Sequence, residues 1–237
     1  DPVTLLGHKV RKHVLGTDPK DDPVVYDEQD ESFYVALDVS KDDRYVYIYS
    51  SSTVSSEQRY ADVSDPKLEF RVILPRERDH EYLADHFDGR WIIRTNWKAP
   101  NFRLMEVALP DAADRARWRE LIGHRDDAFI AGFSVFRGFL AVEERSGGLR
   151  KVRIRPWDGG QDSYISADEP AYYTALSDNE EVDSSVVRYT YTSLTTPTSI
   201  YDYDVRTGTR TLLKRQAVLG GFDPANYVTE YVWAPAR

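Results

Sequence analysis

Phe33-Tyr-Val-Ala-Leu-Asp-Val39, a polar turn at Ser40 to Asp43, and Arg44-Tyr-Val-Tyr-Ile-Tyr-Ser50 together decide the fold. Both runs are rich in β-branched and aromatic residues and are separated by four polar ones, which is the sequence pattern of an antiparallel hairpin. The same pattern returns three times. Glu81 to Phe87 meets Arg90 to Thr95 across Asp88-Gly89, and Phe129 to Phe136 meets Phe139 to Glu144 across Arg137-Gly138. Tyr172 to Ser177 meets Val186 to Tyr191 across a long acidic turn. Asp-Gly and Arg-Gly at these turns are expected to supply the positive φ of tight hairpins.

Two shorter strand candidates follow each hairpin. They are Gln58 to Val63 and Glu69 to Leu74, Phe102 to Leu109 and Trp118 to Ile122, Leu149 to Arg155 and Ser163 to Ser166, and Ser199 to Val205 and Arg210 to Leu213. Four strands recurring every ~40 to 50 residues is the spacing of propeller blades. The predicted fold is therefore all-β: a β-propeller arc with blades at 33–76, 77–126, 127–169 and 170–220. Residues 1–32 are expected to end a preceding, partial blade, through Val10 to Leu15 and Val24 to Glu28. Residues 221–237 are expected to carry one departing strand, Tyr227 to Trp233. Helical periodicity is brief, near Asp111 to Trp118, and reads as a loop insertion.

Composition narrows the function classes. Among 237 residues, 41% are hydrophobic, enough for a packed core, and 13% are aromatic, which suits strands. The net charge of −9 argues against nucleic acid, whose phosphates need a basic stripe. With no cysteine, the chain has no disulfide, thiol nucleophile or Cys-based zinc site, which fits a reducing compartment and the expectation of a cytoplasmic protein. No apolar run approaches the ~20 residues of a membrane span.

The residue types that carry chemistry also have plain structural roles in this sequence. A serine hydrolase elbow, G-x-S-x-G, is missing from the sequence; Gly132-Phe-Ser134-Val-Phe136 comes nearest, but Phe136 stands where the second glycine is needed. His80 and His86 are six residues apart on a strand-like run, ~20 Å along it, which is wrong for a helical zinc pair. The acidic runs at Asp18 to Asp22 and Asp178 to Asp183 lack calcium-loop spacing and read as solvated turns. No phosphate-binding loop is present, so neither metal nor cofactor is expected. The mixed-charge stretch gives the one candidate polar site, facing a channel or a neighbouring domain, with ordinary hydrogen bonding within the blade as the alternative: Arg76, Arg78, His80, Glu81, Tyr82, Asp85 and His86.

Several separated motifs now support a resemblance. His13-Val-Leu-Gly-Thr17, Val25 to Asp30 with Phe33-Tyr-Val35, and Leu74-Pro-Arg-Glu-Arg-Asp-His-Glu-Tyr82 with Asp85-His86 resemble the propeller of the prolyl-oligopeptidase family of serine peptidases, in its oligopeptidase B branch. So do Tyr191-Thr-Ser-Leu-Thr-Thr-Pro197, Ile200-Tyr-Asp-Tyr-Asp204 and Gly221-Phe-Asp-Pro-Ala-Asn-Tyr227, in family order. The resemblance implies a seven-bladed ring lying as a lid on an α/β-hydrolase domain that cleaves short peptides after Lys or Arg with a Ser–Asp–His triad. It also implies that this chain is an excerpt. Its partners would be the missing hydrolase domain of the same polypeptide and, in the whole enzyme, short basic peptides. The truncated arc is expected to self-associate through open sheet edges and to be inactive alone. The competing expectation is a free-standing propeller that binds a protein or a carbohydrate.

Overall fold

The computed structural model describes residues 6–235, so the first five residues of the expected 1–32 segment and the last two of the 221–237 segment lie outside the described residues. The chain divides into two compact units, one ending at Gly123 and the other starting at His124.

The first unit opens with a two-stranded sheet, β1 (Lys9–Arg11) paired with β2 (Val24–Asp27). Two four-stranded antiparallel sheets follow, each a meander in chain order. One is β3 (Tyr34–Val39), β4 (Tyr45–Ser51), β5 (Ser56–Asp62) and β6 (Arg71–Val72). The other is β7 (Tyr82–Phe87), β8 (Arg90–Thr95), β9 (Arg103–Ala108) and β10 (Arg119–Ile122). The second unit repeats the plan with β11 (Ala128–Val135), β12 (Phe139–Ser146), β13 (Leu149–Pro156) and β14 (Ser163–Tyr164), then β15 (Tyr173–Leu176), β16 (Val186–Thr192), β17 (Ser199–Asp204) and β18 (Thr209–Arg215). Four meanders of four strands is the pattern read from the sequence. The expected helical stretch near Asp111 to Trp118 is two short 3-10 turns, Leu109–Asp111 and Arg115–Arg117.

Each unit has its own core. In the first, Tyr45, Tyr47, Tyr82, Trp91, Ile93 and Met105 meet between the two four-stranded sheets. In the second, Phe136, Phe139, Ile154, Val187, Tyr189 and Tyr191 do so. Alternate residues of β4 and β8 point into the first core, as the two-residue period of a strand requires.

Polar side chains stitch neighbouring sheets together where backbone ladders do not reach. Ser56 Oγ on β5 accepts from Tyr82 N and donates to Tyr82 O, both at 2.7 Å. Gln58, two residues on, repeats this on β7: its Nε2 donates to Ala84 O at 2.7 Å and its Oε1 accepts from Ala84 N at 2.8 Å. The carboxamide thus stands in for a peptide unit and satisfies a strand edge that would otherwise be buried unpaired. Thr174 on β15 donates to Arg150 O on β13 at 2.8 Å in the second unit.

The turns agree with the sequence in part. Asp88 (φ 52°) and Gly89 (φ 77°) both adopt the left-handed region, as a two-residue hairpin turn demands. The Arg137-Gly138 turn departs from expectation, because Gly138 lies outside the left-handed region. Here Phe136 N donates to Phe139 O at 3.0 Å and Arg137 N donates to Val182 O at 2.8 Å, so the acidic loop shapes the turn. The segment Tyr227 to Trp233 is also not the strand expected of it. A 3-10 turn, Pro224–Asn226, is followed by backbone with no ladder partner among the described residues. Alternating apolar residues make a strand only where an edge accepts their backbone groups.

Candidate functional site

The seven candidate residues do not converge on one pocket; they occupy three separate nodes of the first unit. The first node is built on Arg76. Its guanidinium reaches Glu28 Oε2 at 2.7 Å and Glu57 Oε1 at 3.3 Å, and lies 3.9 Å above the Phe33 ring centre. Tyr26 OH joins by donating to Glu28 Oε2 at 2.5 Å. Burial pushes the Glu28 carboxyl up, but Arg76, Tyr26 and the Asp30 amide outweigh it and hold the group down at about 2. The fork of Arg76 therefore joins β2 to β5, a use for which a planar two-pronged donor is well suited.

The second node is His80. It is buried, with Nε2 2.9 Å from Thr95 Oγ1 and Nδ1 2.9 Å from an Arg115 guanidinium nitrogen. Nδ1 must then be the lone-pair nitrogen and Nε2–H the donor. Burial, reinforced by the Arg115 charge, pulls the imidazole down to about 4, so it is neutral at pH 7. Glu81 binds through its backbone, whose N–H donates to Asn96 Oδ1 at 2.9 Å. Tyr82 is buried, and its hydroxyl donates to Leu74 O at 2.7 Å while accepting from Gln58 N at 2.8 Å. Burial raises its phenol well above the usual range. Arg78 is exposed beside Asp79 at 3.7 Å.

The third node holds Asp85 and His86. Asp85 Oδ1 accepts from Lys41 N at 2.9 Å and from Tyr47 OH at 3.3 Å. Burial dominates and pushes its carboxyl up to about 6, against the pull of the Lys41 and His86 amides. His86 has no exposed surface; its Nδ1 lies 2.8 Å from Asp42 Oδ2, and burial nonetheless lowers its basicity. Its Nε2 has no hydrogen-bond partner and the ring packs edge-on against Tyr45 and Trp91.

Ser134 lies within β11 opposite Ala141, in regular ladder geometry rather than on a strand-to-helix elbow. No group of three His, Asp or Glu among the described residues is placed to hold a metal. The acidic loop lines a cleft of about 370 Å³ that includes Asp178, Glu180, Glu181 and Asp202, where Arg188 is paired to Asp202 by two bonds. The sequence offered no signal for the partners that complete the nodes, Glu28, Glu57, Thr95 and Arg115, because each is remote in the chain.

Comparison with known proteins places this geometry. Residues 3–216 match the prolyl oligopeptidase N-terminal β-propeller domain. Dipeptidyl aminopeptidase BI of Pseudoxanthomonas mexicana is 47% identical across 100% of this chain, and protease 2 of Moraxella lacunata is 26% identical across 95% of it. The chain spans 32% of the length of each, about a third. Among solved structures, oligopeptidase B of Trypanosoma brucei superposes with a TM-score of 0.86 at 30% identity, over 95% of this chain and 33% of that one. The Leishmania major oligopeptidase B does so at 0.85 and 25% identity. The four-stranded sheets are thus propeller blades, and the chain belongs to the prolyl oligopeptidase family as part of its N-terminal β-propeller domain.

Proposed function

We propose that this chain is the non-catalytic lid and size filter of a serine oligopeptidase that cleaves short peptides after Lys or Arg, with the bond-breaking groups on polypeptide outside these residues. The observation that carries the reading is that essentially all of the chain aligns with peptidases while covering only about a third of them. The use of the polar nodes supports it: His80, Tyr82 and Asp85 spend their hydrogen-bonding capacity on the framework. A lid of this kind acts sterically, admitting short chains and excluding folded ones, and it keeps water from the reacting bond when closed. The net charge of −9 and the acidic cleft would draw basic peptides from a distance. That steering weakens as salt shortens the screening length to ~8 Å near 0.15 M.

One observation favours a second substrate reading. The 47% identity to a dipeptidyl aminopeptidase points to removal of dipeptides from free N-termini. Both readings are tested with the whole polypeptide and with this chain alone. The whole polypeptide is expected to cleave an N-blocked peptide after Lys or Arg, and this chain to cleave nothing. Cleavage only of peptides with a free N-terminus would replace the first reading with the second. Hydrolysis by the 237-residue chain itself would overturn the lid assignment, and a whole polypeptide without peptidase activity would leave the free-standing binding propeller in its place.

A further inference from the structure

Glu169 collects an unusual number of donors. It sits in the connection between β14 and β15, and five hydroxyls surround its carboxylate. Tyr191 OH and Thr196 Oγ1 donate to Oε2, each at 2.7 Å. Ser193 Oγ donates to Oε1 at 2.7 Å, and Thr195 Oγ1 joins it there. The fifth is Thr229, whose Oγ1 lies 3.3 Å from Oε1 and 3.1 Å from Thr195 Oγ1. The first four belong to β16 and the turn before β17. Thr229 belongs to the segment after β18.

That segment has little else to hold it. It forms no ladder after the 3-10 turn, and Val228, Val232 and Trp233 are 82%, 79% and 77% exposed. Thr229 is the exception at 7%. The second tie is Tyr231 OH to Gly147 O, at the β12–β13 turn. An extended chain with exposed apolar side chains stays in place only through such point attachments.

We propose that Glu169 is a latch, a positioning residue that fastens the departing segment to the fourth four-stranded sheet through Thr229 and so fixes where the polypeptide leaves the propeller. A carboxylate is the right group for this work. It accepts only, offers about four lone-pair sites, and makes charge-assisted bonds roughly twice as strong as neutral ones. A glutamine would present an NH₂ to hydroxyls that need an acceptor. Burial works upward on the Glu169 carboxyl, but the Thr195, Ser193, Thr196 and Tyr191 hydroxyls outweigh it and hold it at about 2, so it stays ionised through any ordinary pH. The latch lies within this chain and does not depend on the peptidase reading.

The absence of cysteine makes the test direct. A spin label on Val228→Cys reports the mobility of the segment in this chain. The label is expected to show a slow component in the parent, lost in E169A and in T229V, and regained in T229S, which restores the hydroxyl. E169A also removes the acceptor of Tyr191, Ser193, Thr195 and Thr196, so T229V isolates the tail. In T229V, a second label at Leu194→Cys should be unchanged. A slow component that survives T229V shows that Thr229 holds nothing, and one that survives E169A shows that the carboxylate is not the latch; either result overturns the proposal.

Discussion

Asp85 and Arg76 are both ionisable groups set between strands, and their surroundings treat them in opposite ways. Arg76 is matched by two buried carboxylates. Removing it in Arg76→Ala would take the counter-charge from Glu28 and leave Glu57 with Arg59 alone, a loss of about 3 kcal/mol by analogy with other broken buried pairs. Urea unfolding at pH 7 checks this, and Arg76→Lys should recover only part, because an ammonium cannot span both partners. Asp85 has amide and phenol donors but no cation of comparable strength. Its carboxyl rises to about 6 in the folded state, so its favourable contribution is full when protonated below about 3.8 and is lost as pH climbs through about 6. Asp85→Asn keeps the Oδ1 acceptor and cannot ionise. The variant should therefore be more stable than the parent by about 1 to 2 kcal/mol at pH 8, with the gap closing as pH falls from about 6 to 3.8. His80 works the other way. Its folded value of about 4 lies below the ordinary 6.5, so the unfolded chain takes up its proton first and stability falls as pH drops from 6.5 to 4. His80→Gln should flatten that acid limb in thermal melts taken across the range, while a limb of unchanged steepness would mean that another group controls it.

At the scale of strands, the decisive contacts are those that join one sheet to the next. Gln58→Leu preserves size but deletes both bonds to Ala84, leaving an N–H and a C=O on β7 unpaired in the core. The expected cost is about 2 kcal/mol, with faster hydrogen exchange confined to β7 and its neighbours. Intact protection at Ala84 in that variant would show that water replaces the carboxamide. Such bonds also mark the limit of what the sequence could say. The meanders were legible because alternation and turn residues are local signals, as at Asp88-Gly89. Gln58 and Ala84 are 26 residues apart and nothing local distinguishes Gln58 from an exposed strand residue. Tyr227 to Trp233 departs from its expected strand for a related reason: it has the composition of a strand, but pairing is a property of the neighbour. The candidate polar residues follow the same logic: most are engaged in hydrogen bonds of the framework, and their partners Glu28, Asp42, Thr95 and Arg115 sort them into separate nodes.

For the molecule as a whole, two tendencies compete in solution. A net charge of −9 keeps copies apart. Open strand edges and apolar surface draw them together, and β3 combines both. It is the terminal strand of its sheet, and Leu37 and Val39, two residues apart on one face, are 57% and 48% exposed. A strand of this length with aliphatic side chains on an open edge is a template for pairing with another chain. The pairing strand of a second copy would meet like charges, so association should strengthen as salt screens them, the reverse of what an ion-paired interface would do. Light scattering over a concentration series is therefore expected to show a mass that rises with both protein and salt. Leu37→Lys places a charge on the pairing face and should return the monomer without lowering the thermal midpoint, since the side chain contributes little to the core. A monomer at every concentration and ionic strength would mean that the side chains of β3 already guard its edge, whereas association untouched by Leu37→Lys would move the contact to another edge, with the seven-residue β18 next to be tested.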